Sequence, residues 1–431
     1  MFFVAVIAVA TTAVAASSVE EFAARKNRLK PDDAAGWIEL GHWALERELW
    51  HEAAELAREV LDQDAENLQA WAILKKVDQA VVMPLESEVE TGLKREFDQR
   101  FERSGPTAFK IRNSRHFVIC YDTSDTFAAQ CDGLMEQAYE SFMFHFSMQK
   151  LRPRFLEKRL VVVLFKNRAD YLAYAKATDK ADMAWAVGYY SQRTNRTAFY
   201  DDSSGLDMQA AVKQLAELRE RLKELNAKMD VARNKNEQDA VRTLTVERDG
   251  VSQALYLLNL RIDNKLGLMN VVNTVHEAAH QLAFNTGIQE RRVDYPLWFT
   301  EGLACSFEIE NMGRRGPAVV NNGRVTVMKD AIRQGRMIPL KVFVEEPRPA
   351  AMDVATMHVF YAQGWALFHY LYRTNRAGME KYLLAYREIP PLKKLVREER
   401  AKLFTEAFGG DYESLEKAFV KYLNELSSGM P

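Results

Sequence analysis

The chain has 431 residues, 48% hydrophobic and 27% charged, a globular composition that excludes a disordered, collagen-like or fibrous protein. Its length allows two or three domains, or one larger domain carrying additions. With 58 Lys and Arg against 60 Asp and Glu, the net charge is -2, so no overall basic field marks a nucleic-acid or acidic-membrane binder and partners must be chosen by local sites.

Residues 1–16, MFFVAVIAVATTAVAA, carry no charged side chain, and Ala13-Val14-Ala15 supplies the small-residue pattern of a cleavage site. The segment reads as an export signal, although no Lys or Arg precedes the apolar run. It predicts an exported protein, periplasmic or extracellular. No other stretch is as long and uncharged, so no membrane span is expected after the signal. Cys120, Cys131 and Cys305 are too few and scattered for a disulfide framework or a thiolate metal site. They read as packing residues, with a Cys120–Cys131 bridge open to an exported chain.

Four of the seven tryptophans, Trp37, Trp43, Trp50 and Trp71, fall between Pro31 and Leu74 in an Ala- and Leu-rich segment of helical spacing. The pattern Trp37-x2-Leu40-Gly41-x2-Ala44, with Ala53 and Ala57 following, resembles a tetratricopeptide repeat, and Trp71-x2-Leu74 begins a second 34 residues later. Residues 31–100 are accordingly expected to be a repeat-like helical segment. It reads equally as a protein-binding module or as a helical cap without a partner.

Beyond a polar stretch at Gln99–Asn113, His116–Tyr121 reads as a strand and Phe127–Phe146 as an amphipathic helix. Leu160–Phe165 is six apolar residues rich in β-branched types, which demands cover on both faces of a buried strand. A helix over Ala169–Ala177 follows, then Ala186–Tyr190 and Thr197–Tyr200 bracket a polar turn as a hairpin would. Leu215, Leu218, Leu222, Leu225 and Met229 recur at steps of three and four, as do Val251, Leu255, Leu258 and Ile262. With the polar RNKNEQD at 233–239 between them, residues 208–262 predict an antiparallel coiled-coil hairpin.

His276-Glu277-Ala278-Ala279-His280 lies in an apolar helical pattern that Gly287 can end. Positions i and i+4 share a helix face, so both imidazoles can meet one metal ion while Glu277 reaches its water. With eight histidines and 60 acidic residues in the chain, chance yields about 0.02 arrangements of this kind. A catalytic zinc site also needs a third protein ligand. Glu301, with twenty residues between it and His280, stands in the apolar segment Pro296-Leu-Trp-Phe-Thr-Glu-Gly-Leu-Ala304, where an unpartnered carboxylate is costly to bury and metal ligation removes that cost.

HEAAH followed by WFTEGLA resembles the glutamate zincins, or gluzincins, of the peptidase-MA-like class. The block His116–Tyr200, Ile338-Pro-Leu340 and the run Tyr361–Leu371 (YAQGWALFHYL) are similar to bacterial families of that class, so the resemblance spans about residues 105–425 without the hairpin. It implies an α+β zincin core with a helical C-terminal subdomain. It further implies Zn2+ held by His276, His280 and Glu301, with Glu277 as general base and proton shuttle. Similar enzymes place a tyrosine or histidine donor opposite the zinc; Tyr361 is the first candidate, with His358 and His369 next. No Gly-x-Met-Glu-Asn-like segment precedes the HEAAH helix, which disfavours aminopeptidase activity. Cys305 stands where thermolysin-like relatives carry an Asp that orients a ligand histidine, leaving that partner unassigned.

The expectation is therefore an exported zinc-dependent endopeptidase acting on a peptide or protein substrate, with Gly188–Tyr190 as the sheet edge that receives peptide backbone. A stretch at Asn311–Asn322 reads as a loop or hairpin near the cleft. Two alternatives stay open. One is an interaction scaffold whose repeat and coiled coil bind a protein partner around a structural or inactive metal site; the other is a hydrolase of a non-peptide amide or ester.

Overall fold

The computed structural model describes residues 18–426 apart from 65–66, 81–86, 148–150, 152, 182, 184–185, 202–207, 236, 266–267, 309–315, 318 and 347–353. The N-terminal segment 1–16, read as an export signal, and half of the expected loop at 311–322 lie outside these residues. Among the described residues no helix is long and apolar enough to cross a membrane. The contacts divide the chain into two units, Met1–Leu85 with Met143–Lys158, and Glu86–Phe142 with Arg159–Pro431.

The first unit holds helices α1 (Ala34–Glu46), α2 (Trp50–Gln63) and α3 (Leu68–Ala80). The Asp33 side chain caps α1 by accepting from the Gly36 backbone N–H, and Glu48, in the left-handed region, turns the chain into α2. Ala53, Leu56, Ala57, Ile73 and Leu74 make the shared apolar core. Helix α2 packs against both α1 and α3. The next helix, α4 (Ser87–Arg100), does not extend this array as the 31–100 reading expected. It belongs to the second unit, where Leu93 and Phe97 enter the core against the sheet, because its apolar stripe matches that core.

The second unit is built on a five-stranded sheet in the order β1-β2-β3-β5-β4. Strands β2 (Phe117–Tyr121), β3 (Leu160–Phe165) and β5 (Arg196–Tyr200) run parallel, and β1 (Lys110–Asn113) and β4 (Gly188–Ser191) close the edges antiparallel. The buried centre, with Val162, Val163 and Leu164 fully covered, explains the continuous apolar run of β3. Helices α5 (Asp125–Ser147) and α6 (Arg168–Asp179) make the crossovers. Strand β1 falls inside the segment read as merely polar. Its side chains are mostly exposed and carry no alternation, and pairing of Ile111 with Cys120 is what extends it. Cys120, Cys131 and Cys305 are free and buried, so the Cys120–Cys131 bridge does not form and all three serve packing.

Helices α7 (Met208–Asn234) and α8 (Gln238–Lys265) form the expected antiparallel hairpin, with Leu225, Met229, Leu258 and Ile262 buried. It is inserted between β5 and α9 (Leu268–Asn285), which carries HEAAH and is followed by Gly287 at φ 76°, a conformation glycine adopts without steric penalty. Then come α10 (Leu297–Cys305), α11 (Asn322–Arg333), α12 (Leu340–Glu345), α13 (Val354–Thr374), α14 (Arg376–Arg387), α15 (Arg397–Phe408) and α16 (Tyr412–Glu425). Asn321 caps α11 by accepting from the Arg324 backbone, so the end of the expected loop is a helix start. Gly409 and Asp411 act as C-cap and N-cap between α15 and α16. The fold is therefore mixed α+β with a small sheet and a mainly helical C-terminal part.

Candidate metal centre

Helix α9 lies on the sheet because its polar face is pinned there. The Gln281 side chain donates to the carbonyls of Val161 (3.1 Å) and Asn195 (3.2 Å) and pairs with the Thr197 hydroxyl (3.0 Å), while Asn285 donates to Asn195 Oδ1 (2.8 Å). This fixes the rotation of α9, so that His276 and His280 face α10. Glu277 turns toward the sheet edge and accepts a hydrogen bond from the Tyr190 backbone on β4. Both histidines are buried, whereas Glu277 keeps partial exposure. Burial is the main effect raising the Glu277 carboxyl, with Glu301 adding to it and His276 and His280 opposing.

Helix α10 is buried along its length, from Trp298 to Cys305. It packs tightly on α13 at a pair of glycines: a Cβ on Gly302 would lie 2.5 Å from the Gly364 carbonyl oxygen and 2.7 Å from Phe368 Cβ. Only glycine permits this approach, and it sets Glu301 and Tyr361 around the α9 histidines. Ile338 is tied to α13 by both atoms of the Gln363 amide, its N–H donating to Oε1 and its carbonyl accepting from Nε2.

The result is a triangle of ligand atoms. His276 Nε2 lies 3.1 Å from His280 Nε2 and 3.1 Å from Glu301 Oε2, and His280 Nε2 lies 3.4 Å from the same oxygen. Ligands about 2.0–2.1 Å from one tetrahedral centre stand roughly 3.3–3.4 Å apart, so these edges fit a metal ion of zinc size. Two imidazole nitrogens and a carboxylate oxygen converging in a buried site offer lone pairs in excess of protons, and one cation satisfies all three. Burial alone would raise the Glu301 carboxyl, but the His280 and His276 rings outweigh it and hold the group far below the usual carboxylate range.

The partner that sequence left unassigned is Glu308. Its Oε1 stands 2.9 Å from His276 Nδ1 and accepts from Arg324 Nη2 at 2.7 Å, while Oε2 accepts from Arg324 Nε and Asn321 Nδ2, both at 3.2 Å. Burial would raise this carboxyl; Arg324 and His276 reverse that and bring it to about 2. A carboxylate at Nδ1 keeps the proton on that nitrogen and leaves Nε2 free to ligate. His276, Cys305 and Glu308 also lie close enough to suggest a second metal group. The Arg324 guanidinium already occupies both Glu308 oxygens, and burial pushes the Cys305 thiol up to about 11, so that cluster reads as support for His276. No motif pointed to Glu308, which stands seven residues past Glu301 beyond the end of α10, where the familiar four-residue spacing finds Cys305.

Tyr361 is brought to the site: its ring centroid is 6.2 Å from that of His276, and the Arg324 guanidinium lies 5.8 Å from the ring centre. Burial, then Glu301 and Glu277, push its phenol well above the ordinary value, keeping it a proton donor. The other two candidates have other neighbours. His358 meets Tyr256 of the hairpin edge to face, ring centroids 4.2 Å apart. His369 bonds the Pro317 carbonyl through Nδ1 at 2.7 Å and stacks on Trp365, a packing role about two turns beyond Tyr361 on α13.

Residues 270–393 match a family described as "Protein of unknown function (DUF1570)". The matched stretch contains His276, Glu277, His280, Glu301, Glu308, Arg324 and Tyr361, and leaves out the sheet, the hairpin and the first unit. No curated protein and no solved structure matches the chain.

Proposed function

We propose that the protein is a zinc-dependent hydrolase of peptide bonds, an exported endopeptidase, in which His276, His280 and Glu301 hold Zn2+. The observation carrying this reading is the 3.1, 3.1 and 3.4 Å triangle of ligand atoms with Glu277 one residue from its first corner. Zinc bound there supplies Lewis acidity that polarises a carbonyl and brings the pKa of a water toward about 7. The chain's own groups do the rest. A Glu277 carboxylate oxygen takes the proton of the attacking water and delivers it to the leaving nitrogen. Tyr361 Oη donates to the oxygen on which charge develops. Glu308, held by Arg324 and Asn321, fixes His276 in the ligating tautomer. The edge position of β4, beside Glu277, supports its reading as the strand that receives peptide backbone.

The test is metal analysis of the purified full chain together with hydrolysis of fluorescein-labelled casein. About one zinc per chain is expected, with activity lost on chelation and restored by zinc. The variant Glu277→Gln should keep its zinc and lose at least about 100-fold in rate, the usual scale for a general base. A chain that purifies without metal and takes up none when zinc is added refutes the reading. Full biological function in Glu277→Gln, with loss on deleting α1 and α2, would favour the scaffold alternative.

A further inference from the structure

The coiled-coil hairpin is more than an outlying insertion, because it packs against the helix that carries Tyr361. Tyr256 of α8 packs on the sheet core and stands against His358 of α13. His358 and Tyr361 are three residues apart on that helix and so share a face. Tyr361 neighbours His276, and Arg324 joins Tyr361 to Glu308. A continuous row of packed groups thus runs from the hairpin to a metal-ligating histidine. Outside this row, between the hairpin and helices α11 and α13, lies a cavity of about 730 Å³. Tyr256 and His358 line it, with Val246 and Arg248 on the hairpin and Asp330 and Arg336 at α11 and its end. The volume is within the about 300–1,000 Å³ typical of ligand sites.

We propose that this cavity receives an extended polypeptide segment continuing from the metal centre, so that the hairpin selects which chains are cut. The proposal rests on the peptidase reading above. Its lining says what fits. Arg248 and Arg336 are balanced by Asp249 and Asp330, and the amides of Asn226, Gln253 and Gln334 offer both donors and acceptors. That mixture suits peptide backbone and side chains of mixed charge. A phosphate-rich polymer would need an excess of cations, and a lipid chain an apolar lining. The aromatic wall formed by Tyr256 and His358 offers a flat surface to an apolar side chain of the segment.

Val246 provides the test, since the residue is 71% exposed on the hairpin and lines the cavity, so that Val246→Trp narrows the space with little burden on the fold. On fluorescein-labelled casein the variant should show KM raised at least tenfold, with kcat and zinc content unchanged. On a blocked dipeptide amide, too short to reach the hairpin, kcat/KM should stay within twofold of wild type. A second measurement separates this idea from the peptidase reading. With p-benzoylphenylalanine placed at Gln253 in the Glu277→Gln background, ultraviolet light should crosslink the protein to added casein. Equal KM for wild type and Val246→Trp on casein, or no crosslink from a chain whose parent is active, overturns the role of the hairpin. Crosslinking by a parent that hydrolyses nothing would keep the polypeptide site and remove the peptidase reading.

Discussion

Replacing Glu308 isolates the support of the candidate metal centre from the residues that would ligate the ion. Its carboxylate accepts from His276 at 2.9 Å, twice from Arg324 at 2.7 and 3.2 Å, and from Asn321 at 3.2 Å. Glu308→Ala strands all four donors and leaves a half-buried guanidinium beside His276 without its counter-ion. Loss of an outer partner of a metal-ligating histidine typically costs 10–100-fold in metal affinity, about 1.4–2.7 kcal/mol. Here the unpaired Arg324 pushes the expected loss to the upper end, and because its guanidinium is only half-buried the cost in fold stability should stay below the about 3–5 kcal/mol of a fully buried pair. Glu308→Gln keeps an acceptor for His276 Nδ1 without the charge and should lose roughly tenfold. The double variant Glu308→Gln with Arg324→Leu removes the unpaired cation and should recover most of that loss. Competition with a fluorescent zinc chelator at pH 7.5 measures all three. Zinc affinity of Glu308→Ala within twofold of wild type would refute the argument that this carboxylate organises His276.

Two further predictions rest on other parts of the fold. Gly302→Ala places a methyl group 2.5 Å from the Gly364 carbonyl oxygen, so α10 must move off α13. Destabilisation of about 1–3 kcal/mol and weaker zinc binding are expected together, by thermal melting and metal titration, and an unchanged melting curve would contradict the packing. Burial, aided by Arg373 against the bond to Pro317, depresses His369 from 6.5 to about 4. The unfolded chain therefore binds a proton that the folded chain refuses as pH falls from about 6.5 to 4, and stability drops across that window by up to about 3 kcal/mol. Above pH 6.5 both states are neutral and the contribution is flat. His369→Asn should flatten the difference in urea midpoint between pH 7 and pH 4.5, and an undiminished difference would assign the acid sensitivity elsewhere.

The elements legible in the sequence are those whose signal is local. β3 is a run of six apolar residues, and its predicted ends are the observed ones. The α7–α8 hairpin shows in steps of three and four, and its turn lies within the predicted polar segment. Strand β1 has no such signal, because an edge strand takes its register from its neighbour. The placement of α4 has a related cause: helical spacing tells that Leu93 and Phe97 share a face but not which core that face will enter. Gly302 and Gly364 lie 62 positions apart, and nothing short of the fold shows that each exists to admit the other.

The same distinction separates the candidate metal ligands from what holds them. His276 and His280 are joined by helix geometry, so their convergence follows from four-residue spacing alone. Glu301 was reachable because a carboxylate in an apolar helix needs a cation. Glu308 and Arg324 neutralise one another, and a pair that is satisfied internally carries no imbalance for sequence reasoning to detect. Their recruitment to His276 Nδ1 is a tertiary event between the end of α10 and the first turn of α11, across a connection whose path spacing rules do not constrain. The hairpin follows suit. Read by heptads it is a surface addition, yet Tyr256 sits off the hairpin's own apolar seam and meets His358 of α13. A side chain that its own helix does not need, packed against the helix that carries Tyr361, is what links the insertion to the proposed site and makes Val246 a place to probe it.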